Sequence, residues 1–224
     1  GCATSFRRGR FEFEPSLHEL ASVGDKEHPD TVYKIFDNLG ATVDWRYEHN
    51  TFRAIVKGRD GYDVTLQAGI EPFCNAMEAA VPGCRASVHR LFEYYPKVSD
   101  ALAYITRMKG KPNGLVMITK HADFMKIASH SVEDVMKSLG IPEKARNIIN
   151  TYWGYLGVPT DELNCMHFLN MLYSYVVHGA AMPYKRSHEL SLSLAKVILD
   201  AGGEIRYNSE ATEFLYDGNG AVCG

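Results

Sequence analysis

The side chains best suited to metal binding or nucleophilic chemistry in this sequence are nine histidines and five cysteines, spread over 224 residues. Cys165 and His167 come closest to a ligand pair. On a helix a spacing of two turns them toward different faces, so they cannot share a metal. Neither Cys-x-x-Cys nor any Cys/His pair at structural zinc spacing occurs, and no metal ligand is expected. His121 and His130 lie in a basic stretch, with Arg107, Lys109, Lys111, Lys120 and Lys126 against Asp123 alone. Lysines on a solvated face explain that stretch more simply than an anionic ligand or a lipid surface. Phosphate-binding Gly-x-Gly-x-x-Gly and Walker loops are absent, as are Gly-x-Ser-x-Gly, His-Glu-x-x-His and EF-hand patterns. Spacing alone therefore assigns no active site.

A second resource is aromatic. Between residues 148 and 184 come Tyr152, Trp153, Tyr155, Met166, Phe168, Met171, Tyr173, Tyr175 and Tyr184. They fit either an ordinary helical core or the lining of a greasy pocket.

The elements that must position these groups follow from periodicity. Phe6 to Pro15 alternates, with Phe11 and Phe13 opposite Glu12 and Glu14, which predicts a half-buried strand. Asp30 to Gly40 reads as a capped helix with Val32, Ile35, Phe36 and Leu39 on one face. Thr51–Val56 and Tyr62–Leu66 flank Gly58-Arg59-Asp60-Gly61, a hairpin signal. From Glu71 to Gly202 the reading is almost wholly helical, with a bend or break expected at Pro96. Ser131 and Pro142 begin two of its helices; a third runs from Pro159 to His178, and a last one starts at Ser187. Strands return at Glu204–Asn208 and Thr212–Tyr216. Strands at both ends around a large helical block define an α+β chain.

Composition narrows the classes. The chain is 46% apolar by residue type and carries 13 Tyr, 10 Phe and 2 Trp, which excludes disorder. A net charge of −3 gives no electrostatic reason for nucleic-acid binding. The odd cysteine count makes no disulfide framework and points to a reducing, cytoplasmic compartment. No signal-peptide region and no transmembrane segment is expected, since the most apolar helix, Cys165–Val177, contains His167 and Asn170 and is short of a span. Peripheral membrane contact stays open, and the oligomeric state is not legible.

Two segments resemble a known family. The first is Gly1-Cys2-Ala3-Thr4-Ser5-Phe6, then Gly9 and Phe13-Glu14-Pro15-Ser16-Leu17-His18. The second, within Leu190–Gly224, contains Leu194-Ala195, Gly202-Gly203-Glu204-Ile205-Arg206, Asn208, Ala211-Thr212, Gly218 and Val222-x-Gly224. In that order they resemble the flavin-dependent phytoene dehydrogenase, carotenoid isomerase and retinol saturase group. The resemblance implies an internal piece of a two-domain FAD-dependent oxidoreductase whose Rossmann dinucleotide unit lies upstream of position 1. Residues 1–20 would then be the edge of the FAD-binding region, 21–186 the helical substrate-binding cap, and 187–224 the return toward the FAD-binding domain.

It also implies FAD contacts at Gly1, Ala3, Thr4, Ser16, Leu17 and Ala211, with His18 near the substrate side as the candidate catalytic residue. The substrate would be a small apolar or amphipathic molecule that exchanges a hydride with FAD. The isolated 224-residue chain is expected to be inactive and to retain no tightly bound flavin. Ser16 stands where relatives have Gly, Glu14 where they have Asp, and Lys185-Arg186 where they often have Gly-Gly. Three rival readings are an amine-oxidase-type flavoenzyme, a non-enzymatic lipid- or prenyl-binding module like the GDP-dissociation inhibitors, and a complete α+β interaction domain.

Overall fold

Gly58-Arg59-Asp60-Gly61 folds the chain back between two antiparallel strands, β5 (Asn50–Val56) and β6 (Tyr62–Gln67), as the turn chemistry predicts. The computed structural model describes residues 5–15 and 17–224. Ahead of that hairpin come β1 (Phe6–Arg8), β2 (Phe11–Phe13), β3 (Leu20–Ala21), α1 (Thr31–Asn38) and β4 (Trp45–Glu48). Helices follow: α2 (Ile70–Ala80), α3 (Arg85–Arg107), α4 (Gly114–Lys120), α5 (Ala122–Ala128), α6 (Val132–Ser138) and α7 (Glu143–Ile149). A 3₁₀ turn over Asn150–Tyr155, α8 (Cys165–Tyr173) and a π turn over Ser174–His178 lead to β7 (Ala180–Pro183) and α9 (His188–Asp200). The fold is mixed α/β, with 47% helix against 16% strand.

Caps sit where side-chain chemistry puts them. Asp30 accepts from the Thr31 N–H at the start of α1, and Ser131 accepts from the Asp134 N–H at the start of α6. Gly179, at φ 74, ends the π turn, and Gly202, at φ 81, follows α9. Gly24 is required by its turn. At φ +67, a Cβ there would lie 2.3 Å from the His28 carbonyl oxygen.

Helices α2, α3, α5, α6 and α8 enclose the core, joined by the inner face of the β5–β6 hairpin. Phe73 and Phe92 meet edge to face at 5.4 Å, and Phe168, Leu91, Met136 and Ile148 are fully buried around them. Tyr95 on α3 stacks on Tyr173 of α8.

Five expectations need correction. Of the bend or break expected at Pro96, the break does not occur, because Leu91, Phe92, Val98 and Ala101 bury one continuous stripe on both sides of it. Packing of that stripe outweighs the local cost of about 3 kcal/mol for an interior proline. The segment Phe6–Pro15 is a two-stranded hairpin, exposed on both faces, and not one half-buried strand. The helix expected over Pro159–His178 begins only at Cys165, capped by Asn164. The helical block also contains a strand, β7, which pairs antiparallel with both β3 and β4 and forms the centre of a three-stranded sheet.

At the far end, Glu204–Asn208 and Thr212–Tyr216 form no strands. Residues 201–224 lie almost wholly exposed, and Tyr216–Val222 is the one bridge there. Leu215 bonds only to Cys223 and Gly224 across the Asp217–Gly220 turn, and no further strand among the described residues extends that pairing, so extended propensity alone does not make a sheet. The strands that do close the fold come from residues 20–21, 45–48 and 180–183.

Candidate functional site

Glu19 is a carboxylate with its side chain only 6% exposed, set immediately before β3. Pairing of Leu20 and Ala21 with Ala181 and Ala180 holds it against the helical block. Across from it, the 3₁₀ turn presents Tyr152 and Tyr155. With three residues per turn, side chains at i and i+3 eclipse, so both phenols point the same way. The Tyr152 hydroxyl lies 2.8 Å and the Tyr155 hydroxyl 3.3 Å from Glu19 Oε1. From the π turn, the Tyr175 hydroxyl donates to the Glu19 carbonyl at 3.3 Å. The three rings sit 5.2–5.5 Å apart.

Proton counting gives this cluster a direction. The Tyr152 hydroxyl has one proton and two acceptors, Glu19 Oε1 and the Thr51 carbonyl at 2.5 Å. Both contacts are satisfied when Tyr152 donates to Thr51 and a protonated Glu19 donates to Tyr152. Burial pushes the Glu19 carboxyl above its ordinary pKa; hydrogen bonding from Tyr152 and the charge of His18 oppose the rise, and Glu48 adds to it. Burial, reinforced by the Glu19 charge, raises the Tyr152 and Tyr155 phenols as well, so they stay neutral donors.

These groups border a cavity of about 560 Å³, lined also by Thr51, Phe52, Glu48 and Met182. The buried Thr51 Oγ1 has no hydrogen-bond partner among the described residues, and it belongs to this lining. Arg53 reaches the rim, but its guanidinium is held by Asp63 on the paired strand. His18 is mostly exposed, and its Nδ1 contacts the Tyr155 hydroxyl. His18, Tyr155 and Glu19 thus form a hydrogen-bonded path from solvent to a buried carboxyl. Such a path can hold a proton at Glu19 Oε1 and exchange it through the imidazole.

Of the expected site residues, His18 is at this cavity. Leu17 precedes it, with its N–H donated to Glu14 Oε1 at 3.2 Å. Ala211 is exposed in the chain after α9. Gly1, Ala3, Thr4 and Ser16 lie outside the described residues. Leu17 has its N–H engaged, and Ala211 lies in open chain. These two residues alone do not make a flavin site.

Cys165 is buried, its thiol pushed up to about 12 by desolvation, while His167 is exposed. The two side chains diverge as the spacing predicts. His121, by contrast, turns inward and stacks on Tyr104.

Spacing does not single out Glu19 or Thr51, whereas Tyr152 and Tyr155 belong to the aromatic stretch that fits either core or pocket lining. For Glu19 the available signal is a carboxylate directly before Leu20-Ala21.

A second concavity of about 810 Å³ opens where the β1–β2 hairpin meets α9, lined by Ser5, Phe6, Arg46, Tyr184, Arg186 and Leu192 among others. The joint beneath it is specific. Ser187, fully buried, donates from its backbone N–H to Glu14 Oε2 and from Oγ to Glu14 Oε1, at 2.8 and 2.9 Å. The Ser5 N–H donates to Ser187 Oγ, and the His188 N–H donates to Ser5 Oγ. No protein-family profile and no curated protein matches the sequence.

Proposed function

We propose that this chain forms the substrate side of an FAD-dependent oxidoreductase of the phytoene dehydrogenase-like group, acting on an apolar or amphipathic substrate. The observation that carries the reading is the Glu14–Ser187 joint. Glu14 belongs to the first resembling segment and Ser187 stands three residues before the second, 173 residues along the chain, and Leu192 of the second segment lines the same concavity as Phe6 of the first. A chance likeness of two separate stretches gives no reason for them to meet. Phe6, Phe11 and Phe13 on the hairpin, and Leu192, Leu199 and Phe214 in and after α9, are all exposed. Apolar surface of that kind at both segments suits contact with a further body that holds the cofactor.

When bound, FAD supplies the hydride-accepting or hydride-donating chemistry. The protein's own share lies in the Glu19 cavity. Phe52, Tyr152, Tyr155 and Met182 give it apolar wall, while Thr51 Oγ1 and Glu19 offer a polar anchor for an amphipathic end. With Glu48, Asn50 and Arg53 also in the lining, such a mixture suits a substrate that has a polar end beside its apolar part. Glu19 Oε1 holds a proton at this lining that it can give to a bound substrate and regain from solvent through Tyr155 and His18.

The test is the protein as encoded in its natural gene, with enough residues before position 1 for one βαβ unit, purified by gel filtration. Visible flavin absorption that co-elutes with the folded protein supports the reading. A folded but colourless protein that takes up no added FAD ends it.

A further inference from the structure

α4 is a seven-residue helix whose only buried side chain is Met117. Two other aliphatic side chains point outward, Leu115 at 72% and Ile118 at 68% exposure. Three residues apart, they share one face of the helix. Their display is built, not frayed. The Asn113 side chain accepts from the N–H groups of Leu115 and Val116, and the Asn113 N–H donates to the Tyr104 hydroxyl. Met117 seats the helix, which packs against α5. Met108 before it and Met125 on α5 are exposed as well.

The charge around this tip is one-sided. From residue 101 to residue 122 the chain has no acidic residue, while Arg107, Lys109, Lys111 and Lys120 are all exposed. Among the described residues none of these four pairs with a carboxylate, whereas Lys97 and Lys126 are both taken by Asp123. The whole chain carries a net charge of −3, so positive charge is concentrated here against the overall sign. A solvated lysine face, the simplest reading of the sequence, does not account for a capped helix that holds Leu115 and Ile118 in water.

We infer that α4 and the flanking basic segment dock on an anionic lipid bilayer. Leu115 and Ile118 enter the boundary between headgroups and acyl chains, and the four cations meet lipid phosphates from around them. The observations favour a bilayer over a protein surface. Two convex aliphatic side chains need a fluid apolar medium more than a shaped pocket, and lysine stems can lie along it with their ammonium groups at headgroup level. The inference does not depend on the flavin reading, since it uses no residue of the Glu19 cavity or of the Glu14–Ser187 joint.

The whole chain is incubated with phosphatidylcholine vesicles, with or without phosphatidylglycerol, and separated by flotation. It should float with the anionic vesicles, and added salt should reduce the bound fraction. The double variant Leu115→Ser, Ile118→Ser should bind about tenfold more weakly or worse. Lys111→Gln with Lys120→Gln should lower binding several-fold and flatten its salt dependence. Thermal melts should be unchanged for these variants, because every substituted side chain is exposed. Leu192→Ser, at an exposed leucine on α9, should bind like the parent. The inference is overturned by failure to float with anionic vesicles, by equal binding to neutral ones, or by a Leu192→Ser loss as large as that of the α4 double variant. It is equally overturned if the α4 substitutions dissolve a self-associated form of the chain without affecting vesicle binding.

Discussion

The Tyr152 hydroxyl stands 2.8 Å from the Glu19 carboxyl across 133 residues of chain, with the Thr51 carbonyl as its second acceptor. Because one phenolic proton cannot serve two acceptors, this contact ties the protonation of Glu19 to the folded state. Folding raises the Glu19 pKa, so the folded protein holds this proton more tightly than the unfolded chain. The stabilisation is full below the ordinary carboxylate pKa and is lost as pH rises through the raised folded value. Glu19→Gln keeps the size and a donor N–H without the titration. Its melting temperature should therefore depend less on pH over that window and should gain on the parent as pH rises. Melting curves across a pH series check this; parallel curves for the two proteins count against a protonated Glu19.

Tyr152→Phe removes the hydroxyl and keeps the ring, leaving the buried Thr51 carbonyl and Glu19 each one hydrogen bond short. The cost should be about 1–3 kcal/mol, read as a lower urea midpoint at unchanged slope. Tyr155→Phe should cost less, since its longer contact to Glu19 is nearer the cavity mouth.

Ser187→Ala cuts the side-chain half of the joint between the β1–β2 hairpin and α9. The Ser5 N–H loses its acceptor, while the Ser187 backbone bond to Glu14 survives. Amide exchange over residues 5–14 should quicken by about tenfold, with α3 and α8 unaffected. Uniform acceleration throughout the chain would show that the joint is part of the global core instead.

Two phenylalanines should separate core from surface. Phe92 is 2% exposed beside Phe73, and its change to Ala should cost about 3–5 kcal/mol. Phe11 is 59% exposed on β2, and the same change should move chemical denaturation by about 0.5 kcal/mol or less. A large loss at Phe11 would mean that the hairpin is covered in solution.

Much of the local structure was legible in the residues themselves. Asp30 and Ser131 cap helices because a side-chain oxygen one to three residues away satisfies an orphan N–H. The β5–β6 hairpin forms because its turn residues and alternation agree over a span of 18 residues, Asn50 to Gln67. Divergence of Cys165 and His167 follows from helix geometry alone. These are short-range effects, in which the partner of each group lies a few residues off.

What tertiary structure decided is everything whose partner is distant in sequence. Ala180–Pro183 has no strand pattern of its own and becomes a central strand because β3 and β4 supply ladders on both sides. Thr212–Tyr216 has the pattern but pairs only at Leu215 and Tyr216 with the last residues of the chain, and stays exposed. Pro96 remains within a helix because the stripe from Leu91 to Ala101 is buried as one surface. The Glu19 site follows the same rule. Its carboxyl, two phenols and the Thr51 carbonyl come from three separate stretches, and only desolvation in the folded core raises the pKa of an ordinary glutamate. Residue type and spacing determine caps, turns and faces, whereas burial and pairing across the chain determine which of those residues acquire a function.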